Sequence, residues 1–109
     1  MKKIHKYIII SATLIFSNNV FAADIDKGKE KSVACVACHG QNGVSVNPLW
    51  PKLAGQHASY LKSQLYEFQK GINGNRNNAI MYGISVVLSE EDIDDISAYY
   101  ASLETSIWT

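Results

Sequence analysis

Cys35-Val36-Ala37-Cys38-His39 places two thiols three positions apart, with an imidazole directly after the second. Near the end of a helical turn, two such thiols can each add across a vinyl group of one haem. The next residue then brings its imidazole under the iron. The C-x-x-C-H run is the attachment pattern of c-type haem for that reason. A zinc site would need a second pair of ligands at knuckle spacing, and the only other histidine after residue 22 is the isolated His57. A thioredoxin-like redox pair expects a βαβ context, and no strand pattern is present. The expectation is one covalent haem c, tied by thioethers to Cys35 and Cys38, with His39 as the proximal iron ligand.

A low-spin electron-transfer iron needs a second axial ligand. The strong candidates in the rest of the chain are His57 and Met81, the latter 42 residues after His39. Methionine often fills gaps in cores. Met81, however, is expected to sit in a loop-like stretch, marked by Asn73-Gly74-Asn75-Arg76-Asn77-Asn78, where a strap over the distal haem face would lie. Its thioether would favour ferrous iron and raise the reduction potential. Met81 is the expected axial partner; His57 is expected at the surface, at a helix N-terminus.

The 109 residues suffice for one small domain. Ten Lys+Arg balance ten Asp+Glu, so there is no basic surplus of the kind nucleic-acid binding uses. Two cysteines exclude a disulfide-stapled scaffold, and 47% hydrophobic residues describe a globular chain. The N-terminus carries Lys2, Lys3 and Lys6, then an apolar run from Tyr7 to Phe16 diluted by Ser11 and Thr13, then Val20-Phe21-Ala22. This is the pattern of a secretory signal cut after Ala22. The run is much shorter than the ~20 residues of a spanning helix. Residues 1–22 are therefore expected to be removed on export, leaving 23–109 as a monohaem domain in the periplasm with no stable membrane insertion. That domain has seven basic and ten acidic side chains, a net charge of −3. Eighty-seven residues build a thin core, which a covalent cofactor would enlarge.

Three helices would position these groups. The first starts at Asp24 or Asp26, either able to cap it, and runs into the haem motif. The second spans about 57–70, with Tyr60, Leu61, Gln64, Leu65 and Phe68 on one face and Gly71 as its stop. The third begins at Ser89, where Ser89-Glu90-Glu91-Asp92 is a capping-box pattern. Its apolar face is Ile93, Ile96, Tyr100 and Leu103, and its early acids suit a helix N-terminus.

On these residues the chain resembles class I cytochromes c, specifically the small bacterial c553 / c4-like group, from Gly28 to Leu103. The resemblance implies an all-α fold of three main helices and loops wrapped around one haem. Gly28, seven residues before Cys35, stands where that family lets its terminal helices cross closely, and the facing helix would contain Tyr99 and Tyr100. Pro51-Lys52-Leu53-Ala54-Gly55 matches the family's P-x-L-x-G. By that likeness the Pro51 carbonyl should accept a hydrogen bond from His39 Nδ1, with Pro48 as the alternative, and Leu53 should pack on the haem. Met81, seven residues before Leu88 and the helix start, matches the family's axial methionine. Arg76 would neutralise a haem propionate, unless it is a solvated loop residue, and Trp50 would pack near the proximal edge. Trp108 has no assigned place. The c4 proteins carry two haem domains, whereas this chain has one motif.

The implied function is outer-sphere electron transfer between respiratory redox proteins, such as a quinol-oxidising complex, a terminal oxidase or a reductase, through transient docking. No catalytic residue is expected. The uncharged Val36, Ala37, Gln41, Asn42 and Val44 would flank an exposed haem edge as a small docking patch. The alternatives are a cytochrome subunit of a periplasmic dehydrogenase or reductase, or an open-iron gas sensor or peroxidase-like enzyme.

Overall fold

A computed structural model describes residues 2–15 and 22–104, so the residues before the expected cut, Val20 and Phe21, and Trp108 lie outside the described residues. Residues 2–15 carry no regular secondary structure and are exposed. From Asp24 onward the described chain is helical with no strand, in the order α1 (Ile25–Lys31), α2 (Val33–His39), α3 (Ala58–Gln69), α4 (Ala79–Ser85) and α5 (Glu90–Ser102).

Asp24, not Asp26, caps α1: its Oδ1 accepts the Lys27 N–H at 3.1 Å. The sequence suggests one helix into the haem motif, but Ser32 divides it into α1 and α2. The Ser32 hydroxyl donates back to the Lys29 carbonyl at 2.7 Å, a local bond that bends helices. Its own N–H is shared between the Gly28 and Lys29 carbonyls.

α1 packs on α5, and Gly28 makes that crossing possible. A Cβ built on Gly28 would stand 2.0 Å from the Asp95 carbonyl oxygen and 2.8 Å from Tyr99 Cβ. The crossing is fastened by Asp95, only 2% exposed. Its Oδ1 accepts the Asp24 N–H at 2.7 Å and its Oδ2 receives Lys31 Nζ at 2.8 Å. Lys31 also reaches Asp92 Oδ1 at 2.9 Å. The Asp24 N–H first, and Lys31 second, hold the Asp95 carboxyl below the usual carboxylate range; the Lys31 ammonium is pushed up by the same pair of acids.

α5 begins with the expected capping box: Ser89 Oγ accepts the Asp92 N–H at 3.1 Å, and Asp92 Oδ2 accepts the Ser89 N–H at 3.0 Å. Its buried face includes Ile93, Ile96, Tyr99 and Tyr100, and Leu61 of α3 joins the last three in the core, with Cys35, Leu53, Leu88 and Leu103 packed around them. α3 also packs against α5 and α4. It ends as expected at Gly71, whose φ of +56° opens a short 3-10 turn to Asn73.

Candidate functional site

α2 delivers the C-x-x-C-H run in its last turns and stops at Gly40, where φ is +85° and a Cβ would lie 2.0 Å from the Val44 carbonyl oxygen. Only a glycine lets the chain double back there. His39 is buried, and its Nδ1–H donates to the Pro51 carbonyl at 2.7 Å. Pro51, rather than Pro48, is thus the imidazole's partner. With Nδ1 engaged, Nε2 is the nitrogen left to bind a metal. The loop bearing Pro51 is itself pinned. The Gly43 carbonyl accepts the Leu53 and Ala54 N–H groups at 2.9 and 3.1 Å, and the Gly55 N–H donates to the Tyr100 carbonyl at 2.9 Å.

Cys35, Cys38 and His39 line a cavity of about 420 Å³, and Met81 lines the same cavity. The α3 face read from helical spacing, Tyr60, Leu61, Gln64, Leu65 and Phe68, forms one wall of it. Leu53, Trp50 and Arg76 border it as well, whereas His57 is exposed at the N-cap of α3 and is not part of the wall. Arg76 is fixed at the cavity: Nη1 donates to Gln64 Oε1 at 2.7 Å, and the guanidinium lies 4.7 Å from the Phe68 ring centroid.

Met81, expected within a loop, instead stands inside a helix, because Asn78 caps the chain into a helical turn just after the Asn-rich stretch. It is the third residue of α4, and its N–H donates to Oδ1 of the N-cap Asn78 at 3.0 Å. Periodicity does not disclose so short a helix, which leaves Ile80, Tyr82, Gly83, Val86 and Val87 at or beside it exposed. The cap was the available signal, an Asn three residues before Met81, though it sits among several other asparagines. α4 also supplies Ile80 and Ile84 to the cavity wall, two residues that sequence reasoning did not single out.

Two further wall residues, Ser97 and Tyr100, carry buried hydroxyls without a well-formed hydrogen bond among the described residues. Burial pushes both the Tyr100 phenol and the Cys35 thiol above their ordinary values. The arrangement fits a haem: a mostly aliphatic and aromatic chamber in the volume range of ligand pockets, two thiols one helical turn apart, and an imidazole oriented through Nδ1. A mixed donor set of two thiols, one imidazole and one thioether around apolar walls is suited to a covalently held iron porphyrin.

The cytochrome c family profile matches residues 25–104. Cytochrome c-554(548) of Halomonas halodenitrificans is 43% identical over 83 residues, covering 76% of this chain and all of that protein. Cytochrome c4 of Pseudomonas aeruginosa is 41% identical over 86 residues, 79% of this chain and 41% of that one. The structure of reduced recombinant cytochrome c4 from Pseudomonas stutzeri superposes with a TM-score of 0.71 at 38% identity, over 76% of this chain and 47% of that chain. The chain thus spans less than half the length of these c4 relatives and the whole of the shorter Halomonas protein. With the profile matching most of the chain and the described residues all-helical around the cavity, the chain belongs to the cytochrome c family.

Proposed function

We propose that this chain is an exported carrier of single electrons between respiratory redox proteins of the periplasm, with one haem c held between His39 and Met81. The observation that carries the reading is the gathering of Cys35, Cys38, His39 and Met81 on the wall of one apolar cavity. When bound, the haem supplies a one-electron ferric/ferrous couple. Cys35 and Cys38 would tie it by thioethers, and His39 Nε2 and Met81 Sδ would serve as the iron's protein ligands. Pro51, by accepting the Nδ1–H, makes His39 a stronger donor; the Met81 thioether favours the reduced state. With His39 and Met81 both serving as iron ligands, no coordination site would be left open to a substrate, and the chain would act as a carrier rather than an enzyme.

Leu53, Leu61, Leu65 and Phe68 give the cavity an apolar lining, which would keep solvent reorganisation small as the charge changes. Arg76, steadied by Gln64 and Phe68 at the cavity, would neutralise a propionate. Around the haem motif, Ala37, Gln41 and Asn42 are exposed and Val36 and Val44 are half-buried, an uncharged face suited to brief encounters. Residues 1–22 serve as the export signal, and among the described residues no helix is long and apolar enough to cross a membrane.

Visible spectra of the protein matured in a periplasm with haem-attachment machinery test the reading. The expected result is a weak long-wavelength ferric band from methionine sulfur on iron, lost in Met81→Ala. A high-spin ferric spectrum, or carbon monoxide binding to the ferrous protein at neutral pH, would sink it and favour an open-iron sensor or enzyme.

A further inference from the structure

α4 is poorly equipped to hold its own position. It has seven residues, fewer than an isolated helix needs for stability, and Gly83 in its middle meets nothing within 4 Å of a built Cβ. Its one buried residue is Ser85. Among the described residues, the side-chain hydrogen bonds from α3 that fasten its C-terminal end come from Gln69. Gln69 Nε2 donates to the Ser85 carbonyl at 2.8 Å and to the Leu88 carbonyl at 2.9 Å. The turn between those residues is closed by the Leu88 N–H on the Ser85 carbonyl at 3.0 Å. One amide therefore secures both ends of the turn that leaves α4, while Asn78 fixes the start of the helix through the Met81 N–H.

We propose that Gln69 is a positioning residue for Met81: its two-carbonyl bridge holds α4 against α3 and sets how often the thioether leaves the iron. The inference rests on the reading of Met81 as axial ligand. Without the bridge, the Ser85 and Leu88 carbonyls turn to water and α4 pivots about its Asn78 end. The fraction of protein with an open iron then rises. The apparent affinity of an outside ligand scales with that fraction, so a competing ligand reads the clamp directly.

The experiment titrates imidazole into the ferric holoprotein at neutral pH and follows the visible spectrum. Gln69→Met keeps the length and helix propensity of the side chain but donates nothing; Gln69→Glu presents oxygens to the two carbonyls. Both are expected to bind imidazole roughly tenfold more tightly than the parent, the effect of losing about one net hydrogen bond or more. Should Gln69→Met fail to take up haem, Gln69→Glu decides. Lys31→Met loosens the remote α1–α5 crossing and is expected to lower thermal stability while leaving imidazole affinity within about twofold of the parent. If both Gln69 variants stay within about twofold, or Lys31→Met shows the same gain, the positioning role is overturned. Met81→Ala separates the two readings: loss of the sulfur band with unchanged Gln69 variants defeats the clamp alone, whereas a band that survives defeats the axial assignment and the clamp with it.

Discussion

Gly28→Ala puts the helix crossing to a quantitative test. The new Cβ would sit 2.0 Å from the Asp95 carbonyl oxygen and 2.6 Å from its carbon, both main-chain atoms that cannot swing aside. Reaching the 3.4 Å at which ordinary contact begins requires α1 and α5 to part by about 1.4 Å locally. That shift also stretches the 2.7 Å Asp24–Asp95 and 2.8 Å Lys31–Asp95 contacts. Overpacking of this kind costs about 1–3 kcal/mol, and a collision with backbone belongs at the upper end. Alanine recovers up to about 1 kcal/mol of helix propensity over glycine. The net loss is about 2 kcal/mol, which for a domain of this size lowers Tm by ~8–16 °C. Thermal unfolding of the holoprotein, followed by far-UV circular dichroism, measures it. A drop smaller than about 3 °C, or any rise, would refute the claim that the crossing depends on a missing side chain.

Gly83→Ala is the converse case: its Cβ enters open space, so the same propensity difference should raise stability by about 0.5–1 kcal/mol, seen as a Tm a few degrees higher. The Asp95 carboxyl is depressed in the folded chain, so its contribution is present above the unfolded value of about 4 and is lost as pH falls through the lower folded value. Tm measured from neutral pH into acid should fall more gently in Asp95→Asn than in the parent, although Asp92 and Glu67, depressed too, keep part of the slope. Arg76→Leu should lower the reduction potential in a spectroelectrochemical titration, because removing a cation beside the haem favours the ferric charge. Val36→Asp with Val44→Asp should slow turnover with a redox partner, and unchanged turnover would place the docking face elsewhere.

What could be read from sequence follows the length of the patterns. α3 and α5 run for more than three turns, and their apolar spacing and the Ser89–Asp92 box point directly to the faces that line the cavity and form the core. The haem motif is a compact local signal, readable without a fold, whereas the Pro51 partner of His39 is implied by the family resemblance and is chosen over Pro48 by the path of the loop. α4 gives no such signal, since seven residues with mostly exposed side chains carry no periodicity. The division at Ser32 depends on a hydroxyl that competes for a helix carbonyl, a choice that composition does not reveal. The Gln69 bridge joins residues 16 and 19 positions apart, and only the path of the chain between them brings them together.

The bond from the Asp24 N–H to Asp95 joins residues 71 positions apart, and it brings the start of α1 beside the middle of α5. α5 runs on from Asp95 for seven residues to Ser102, roughly 10 Å at the rise of an α-helix. A linker of a few residues could close that gap, making the domain a natural subject for circular permutation. New termini opened in the loop around Val46, itself almost fully exposed, would leave every helix intact. The haem-bearing half and the strap-bearing half would then be joined through the former ends, and the order in which they are synthesised would be reversed.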